Sequence, residues 1–493
     1  MNTPEELDVI VIGAGLSGAK GICALISTIR RLPGTSIAVF DKSDSVGGTW
    51  AKNTYPGLRC DIPSKLYSYS FALKPDWRNE YATQPEILSY IRDVVSFFRV
   101  SDHIHLQQEV EGAEWLDDKS QWRVYFVDGD SGKRYIKHSR FLITAVGFCN
   151  LPNEPDGVQN IEAFQGRLFH SSNWDHSMDF RDKHVLVIGN GCSANQFIPH
   201  LISEASVRSL TQVVRSSHWV APKQSRSIPE WERLMRNFPG AAWLARFSIA
   251  TKLDFAFSAF KTNLIGELLR KALQSSIASY MRQQSPSKYH DILIPDFDFG
   301  AKRPVLDHGY LSALHDDRLT LLRSASLTVT GASEVQTADG EKVHADIIIM
   351  ANGFRTQELL TPMVIEGRMG VKLPDVWHQG GFASAYMGVC VAGFPNLFLL
   401  TGPNTLPSGH STLSVFGTFA GTRVEVSAAA QTLFNEWIQA KMKQLVYTAD
   451  VRSWYVDRRS GQNTLIWPGS QLSFWWSRCV KKPQWGDFEI KRR

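Results

Sequence analysis

At 493 residues, 43% hydrophobic and 20% charged, the chain is long enough for about three domain-sized cores at roughly 150 residues each. Its net charge of +5 is spread over 53 basic and 48 acidic residues without a run of five like charges, so no nucleic-acid partner is expected. Six cysteines (Cys23, Cys60, Cys149, Cys192, Cys390, Cys479) form no closely spaced pair, which argues against a redox disulfide or a thiolate zinc site and for reducing, cytoplasmic surroundings.

The polar, acidic start from Met1 to Asp8 has no signal-peptide pattern. Asp8-Val9-Ile10-Val11-Ile12 then reads as a strand that ends in Gly13-Ala14-Gly15-Leu16-Ser17-Gly18, with a helix-like segment through Ile29. A strand, G-x-G-x-x-G and a helix aim backbone N–H groups and a positive helix end at a pyrophosphate. The next strand, Ile37-Ala38-Val39-Phe40, ends in Asp41, where a carboxylate accepts ribose hydroxyls. Gly13, Gly15, Gly18 and Asp41 are therefore assigned to the adenosine half of a dinucleotide. Its very early place in the chain is a habit of flavoproteins with two dinucleotides, so FAD is the dinucleotide expected there.

Gly47-Gly48-Thr49-Trp50 and Tyr55-Pro56-Gly57-Leu58-Arg59-Cys60-Asp61 follow as G-G-x-W-x-x-x-x-Y-P-G-x-x-x-D. Paired glycines let the backbone approach a flat ring closely, and Trp50 and Tyr67 either cover that ring or fill core. Thr83-Gln84-Pro85-Glu86 has the form of a capping box, with Ile87, Ile91, Val94, Val95 and Phe98 at helical spacing behind it. His103 to Gly147 reads as a β-meander with a turn at Asp128-Gly129-Asp130-Ser131-Gly132, and Phe141 to Gly147 returns the chain to the first domain. His103 and His105 alternate on a strand with no third ligand in view, so no metal site is expected.

Beyond Pro152 and Pro155 lies Phe164-Gln165-Gly166-Arg167-Leu168-Phe169-His170-Ser171-Ser172-Asn173-Trp174-Asp175, an F-x-G-x-x-x-H-x-x-x-W-D pattern. His184 to Ile188 then enters Gly189-Asn190-Gly191-Cys192-Ser193-Ala194, a second strand, loop and helix with alanine for the third glycine. Two such folds imply two bound dinucleotides. Leu210 to Val214 ends in Arg215-Ser216-Ser217, and a cation with hydroxyls in place of an acid favours the 2′-phosphate of NADPH over NADH.

From about Ala221 to Leu293 the apolar residues fall at helical spacing without strand signals, and Leu264, Leu268, Leu269 and Leu273 are expected in core. Phe299-Gly300-Ala301-Lys302-Arg303-Pro304 follows. Val343 to Met350, running into Ala351-Asn352-Gly353, reads as the last strand of the second domain. Tyr386 to Leu400 is the most apolar run, but Gly388, Gly393 and Pro395 interrupt it and it is shorter than the ~20 residues of a spanning helix, so no integral membrane segment is expected. Its last part, Pro395 to Leu400, reads as a strand returning to the first domain, with Gly409-His410 close behind.

The patterns at 47–61 and 164–175 resemble the two diagnostic motifs of type I Baeyer-Villiger monooxygenases, flavoenzymes that insert oxygen beside a ketone. Val146 and Asn352 depart from the residues usual at their positions in that family. The resemblance implies an α/β fold of two Rossmann-like dinucleotide-binding domains. Residues 1–148 and 380–493 would bind FAD, residues 149–220 and 300–379 NADPH, and a helical insert at 221–299 would help wall the substrate cleft with Trp243, Phe247, Phe255, Phe257 and Phe260.

On the same grounds Gly48, Thr49, Trp50, Asp61 and Tyr67 belong at the flavin, and the backbone of Val110 at the adenine of FAD. Gly189, Gly191, Ser193, Ala194, Arg215, Ser216 and Lys302 belong at NADPH. The implied catalytic set is Arg303, its carboxylate partner Asp61, and His170, which lies with Gly166 and Trp174 on the connection between domains as a conformational and cofactor-contacting residue, not a proton shuttle. NADPH would reduce FAD, and a C4a-peroxide formed with O2 would attack the ketone to give an ester or lactone. A guanidinium suits that anion because it cannot lose its proton to it. Ser453-Trp454-Tyr455 and Asn463 through Gly469 resemble the branch acting on larger or aromatic ketones, which suggests a ketone of secondary metabolism. A flavin N- or S-oxygenase is the alternative, since it shares both glycine loops. The motif ending in Asp61 and the Lys302-Arg303 pair argue against it.

Overall fold

The computed structural model describes residues 5–18, 34–223, 227–238, 240–406, 423–448, 451–477 and 484–491. The helix expected through Ile29 begins at Leu16, and the rest of it lies outside the described residues, as do Gly409, His410, Cys23 and Cys479.

Strand Glu6–Ile12 is buried on both faces from Val9 onward, as a central parallel strand must be. It belongs to an eight-stranded sheet with the spatial order Ile104–His105, Ile37–Phe40, Glu6–Ile12, Arg134–Thr144, Gln121–Asp128, Gln108–Leu116, Val364–Glu366, and with Leu397–Leu399 also paired to Arg134–Thr144. Arg134–Thr144 serves twice. Its first half pairs antiparallel with Gln121–Asp128, and its second half lies parallel between Glu6–Ile12 and Leu397–Leu399. The meander and the returning strand are thus one element of 11 residues.

The hairpin turns where expected, with Asp128 Oδ1 accepting the N–H and hydroxyl of Ser131. His103 sits 3.0 Å from the Ile37 carbonyl, and His105 stacks on Phe40. Helix Gln84–Phe97 starts after Thr83 and buries Ile87, Ile91, Val94 and Val95. The capping box does not close, because Glu86 is drawn away to the N–H of Arg78 and to Asn79.

A second sheet holds five parallel strands in the order Leu319–Arg323, Ser209–Val214, His184–Ile188, Ile347–Met350, Arg167–His170. The strand carrying His170 is therefore an edge strand of this unit. Helix Cys192–Ser203 covers one face through Phe197, Ile198 and Leu201, which pack with Val185, Val187 and Ile349. On the other face Leu327, Val329, Val335 and Val343 of a four-stranded sheet pack against Leu186, Val213 and Ile348. The single strand expected over Val343 to Met350 is split between these sheets. Lys342–His344 joins the small one and Ile347–Met350 the parallel one, with Asp346 turned between them to accept the His184 N–H.

Two further expectations fail on packing. Val364–Glu366 pairs with Gln108–Leu116, so the chain has rejoined the first sheet before residue 364, earlier than the expected crossover at 380. A three-residue edge strand offers no periodicity to read. In the insert, helix Leu264–Gln284 turns Leu264, Leu268, Leu269 and Leu273 outward, 72%, 60%, 38% and 37% exposed. Its buried face is Arg270, Ile277, Ala278 and Met281, with Arg270 held by the carbonyls of Ala259 and Lys261 and by Asp298. Among the described residues no helix is long and apolar enough to cross a membrane.

Candidate active site

The carboxyl ends of the parallel strands in both sheets open on one cleft of about 1490 Å³, lined by Gly13, Asp41 and Ala145 from the first unit and by Gly189, Arg215 and Ala351 from the second. Strand ends of this kind are where open α/β sheets take ligands. The two glycine loops are built alike. Gly13 (φ +104°) leaves no room for a methyl group against the Ala145 carbonyl, and Gly189 (φ +116°) none against that of Ala351, so each loop turns tightly onto the neighbouring strand's end.

In the first unit Gly15 faces the cleft and bridges Gly47, which brings the second glycine-bearing motif, with Gly48 and Thr49, against the first. Gly18 is buried beneath the loop and does not face the cleft. Asp41 is fixed at the loop's mouth by the N–H groups of Ala14 (2.6 Å) and Ser43 (2.8 Å). A carboxylate has about four lone-pair sites, so acceptor capacity remains for ribose hydroxyls. Trp50 Nε1 donates to the Tyr67 hydroxyl at 2.9 Å with the rings edge to face, and both residues line the cleft. Burial holds the Tyr67 hydroxyl well above its usual pKa, so it stays neutral. Val110 also lines the cleft, at a bulge of its strand.

In the second unit Gly191 and Ser193 line the cleft, whereas Ala194 is on the buried face of helix Cys192–Ser203 and packs in the core. Asn190 ties the loop to the carbonyl of Ser216 at 2.9 Å. Lys302 Nζ donates to Ser216 Oγ at 2.8 Å, and burial, then Arg215, push its pKa down to about 8. Burial and Arg458 lower Arg215, while burial, Arg215 and Arg458 push Arg452 down to about 10. Four cations thus crowd one wall of the cleft beside the Ser216 hydroxyl. Arg452 and Arg458 were not anticipated. Their only sequence signal is a local excess of arginine around the Ser453-Trp454-Tyr455 segment.

Arg303 and Asp61 meet across the units. Arg303 donates to Asp61 Oδ2 from Nε at 2.8 Å and from a terminal nitrogen at 2.7 Å. Both line the cleft, with side chains 28% and 25% exposed. Burial alone would lower the pKa of the guanidinium, but the Asp61 carboxylate outweighs it, and Arg303 is a permanent cation. Its loop turns at Gly300 (φ +98°), where a methyl group would collide with the Phe260 ring. Phe260 in turn stacks on Phe299 and Tyr447.

Phe260 therefore braces the arginine loop from behind, with Phe257 packed against it. Trp243, Phe247 and Phe255 lie exposed on the insert, and none of the five residues expected to wall the cleft lines it. Cys60, Cys149 and Cys192 do line it. Burial raises all three thiols, Cys149 and Cys192 to about 12, which leaves them neutral and unsuited to dithiol chemistry.

The segment that carries Asp61 is docked on the second unit through Gln196. Its Oε1 accepts from the Tyr55 hydroxyl and the Arg59 N–H, both at 3.3 Å, and its Nε2 donates to the Arg59 carbonyl at 3.1 Å. Trp174 packs on Tyr55 and Phe197 at the same seam. His170, expected in the catalytic set, does not line the cleft. Its Nδ1 accepts the Ser172 N–H at 3.1 Å, so Nε2 carries the proton and donates to the Gly353 carbonyl at 3.1 Å. Burial lowers its pKa, and the neutral ring acts by holding the Asn352–Gly353 loop, which does face the cleft.

Residues 6–238 match the family described as FMO-like, flavin-binding monooxygenase-like. A Baeyer-Villiger monooxygenase of Pseudomonas aeruginosa is 32% identical over 94% of this chain and 88% of its own. A Baeyer-Villiger monooxygenase of Streptomyces coelicolor is 32% identical over 99% and 93%. The FAD-binding monooxygenase ktnD of Aspergillus niger is 31% identical over 98% and 81%. Among solved structures, cyclohexanone monooxygenase from Rhodococcus sp. Phi1 bound to NADP+ superposes with a TM-score of 0.83 at 24% identity over 100% of both chains. OTEMO in complex with FAD and NADP gives 0.83 at 24% identity over 99% of this chain and 100% of that one. At that identity these two likenesses speak for the fold.

Proposed function

The chain belongs to the flavin-binding monooxygenase-like family and stands with its Baeyer-Villiger monooxygenases, and from that premise we propose that the Arg303–Asp61 pair is the device on which its oxygen insertion depends. The reaction consumes a ketone, O2, NADPH and a proton and yields an ester or lactone, NADP+ and water. Bound FAD, once reduced by NADPH, supplies the activated oxygen.

The cleft fits two dinucleotides. Its volume of about 1490 Å³ exceeds the roughly 300–1,000 Å³ of a pocket for one small ligand, and both of its glycine loops open into it. On this reading Gly13, Gly15, Asp41, Gly48, Thr49, Trp50, Tyr67 and Val110 hold FAD. Gly189, Gly191, Ser193, Arg215, Ser216 and Lys302, joined by Arg452 and Arg458, hold NADPH. The four crowded cations suit a 2′-phosphate, which NADH lacks.

The single observation that carries the mechanism is that Arg303 spends two N–H groups on one oxygen of Asp61 while still lining the cleft. A guanidinium has five donors, so three remain for the negative charge that develops on the reacting oxygens, and a permanent cation cannot quench that charge by giving up a proton. Asp61 fixes its direction and compensates its burial. Transfer of oxygen to an amine or sulfide needs an electrophilic oxygen, which gains nothing from a fixed cation, so an N- or S-oxygenase is not favoured.

The substrate is a large or aromatic ketone of secondary metabolism. The Ser453-Trp454-Tyr455 segment supports this, with Trp454 stacked on Phe148 in the lining of the cleft. The neutral cleft thiols fit a reducing cytoplasm. The test is a ketone panel under labelled O2. Bulky aryl ketones should give esters carrying one labelled oxygen at higher kcat/KM than cyclohexanone, with the second label in water. Oxidised amines or sulfides without any ester would overturn the reading.

A further inference from the structure

At the amino-terminal edge of the second parallel sheet, opposite the cleft, three ligating side chains converge: His184 opens strand His184–Ile188, His344 ends Lys342–His344, and Asp346 precedes Ile347–Met350. Their donor atoms lie within 4.8 Å of one another. The two imidazole rings stand 4.8 Å apart at 78°, and His344 Nε2 is 3.7 Å from Asp346 Oδ1. Two of the three are already oriented by other bonds. Asp346 Oδ2 accepts the main-chain N–H of His184 at 2.8 Å, which turns Oδ1 toward His344. His184 Nδ1 is hydrogen-bonded to Ser209 Oγ at 2.7 Å, which leaves Nε2 for a ligand. Fixing a ligand through its second polar atom is how metal sites are preorganised.

The geometry points to a divalent-metal site in which His184 Nε2, His344 and Asp346 Oδ1 bind zinc, with water completing the coordination. Two imidazoles and a carboxylate are a borderline-soft donor set that suits zinc over magnesium or calcium. Donors around tetrahedral zinc stand about 3.4 Å apart, given metal–ligand bonds near 2.0–2.1 Å. His344 and Asp346, with side chains 54% and 37% exposed, have the freedom to close that short distance.

The site is wired to the fingerprint strand. The Asp346 carbonyl accepts the Arg167 N–H at 3.0 Å, and Gly166 packs so tightly on the same oxygen that a methyl group there would collide with it. A metal at this point clasps the base of three neighbouring strands, so its effect is on the rigidity of the second unit and not on the chemistry of the cleft.

The test is calorimetric titration of metal-stripped, FAD-loaded enzyme with zinc chloride, followed by thermal unfolding. One zinc per chain with a micromolar or tighter Kd and a raised Tm is expected. His344→Ala should weaken binding at least tenfold and abolish the rise in Tm while leaving FAD content unchanged. If that variant loses FAD, Asp346→Asn is read in its place with the same expectation. An enzyme that takes up no zinc saturably, or a variant that binds it as tightly as the parent, overturns the site.

Discussion

Lys302 shows how a single side chain reports the cofactor's identity. Burial, and then the neighbouring Arg215, push its pKa down to about 8. Below that pH the ammonium is present to meet a phosphate. Above it the free enzyme has lost the charge that binding must restore. Because the protonated form binds and the free pKa is depressed, KM for NADPH should rise as pH passes through about 8, while KM for NADH stays level. Charge-assisted hydrogen bonds contribute about 1.5–3 kcal/mol, so Arg215→Ala should weaken NADPH roughly 10- to 100-fold and NADH far less. Initial rates with both nucleotides across pH 6–10 decide it, and equal effects on the two would place the 2′-phosphate elsewhere. Much of this wall was legible, Arg215 at the end of the strand that follows the second glycine loop and Lys302 through the family resemblance. Arg452 and Arg458 reach it from the far end of the chain, and only folding reveals that proximity.

Among the elements, the arginine loop depends on the insert behind it. Gly300 has a left-handed backbone, which costs a residue with a Cβ about 1–2 kcal/mol, and the Phe260 ring fills the space a methyl group would need. Gly300→Ala should therefore displace Arg303 and lower kcat with FAD retained. Combining it with Phe260→Ala should relieve the collision, giving a coupling of at least about 0.5 kcal/mol in a double-mutant cycle. Strictly additive effects would mean that the insert does not brace the loop.

The same insert shows where sequence patterns mislead. Spacing alone reads the stretch from about Ala221 to Leu293 as helical, and helix Leu264–Gln284 lies within it, but periodicity cannot say which face meets a neighbour. Here two carbonyls and Asp298 draw Arg270 inward and turn the leucines out. By contrast, strand, glycine loop and helix are local patterns with local causes, and both dinucleotide folds could be read directly.

At the scale of the molecule, the site exists only because two units are held in register. Asp61 comes from one and Arg303 from the other, and Gln196, 3% exposed, binds the Asp61 segment through three hydrogen bonds. Losing buried hydrogen bonds of this kind costs about 1–3 kcal/mol. Gln196→Met should thus lower Tm and raise the share of NADPH consumed without ester formation, with hydrogen peroxide as the measured by-product. Unchanged coupling would show that the seam tolerates slippage. No sequence spacing could have shown this contact, because Tyr55, Arg59 and Gln196 meet only when the second unit docks.

The most direct measurement is made on Arg303→Ala by stopped-flow reduction followed by single turnover under labelled O2. Flavin bleaching by NADPH should persist within about twofold of the parent, while labelled ester falls at least about 100-fold, the loss expected when a fixed donor to developing negative charge is removed. Labelled ester at the parental rate would contradict the assignment of oxygen insertion to the Arg303–Asp61 pair.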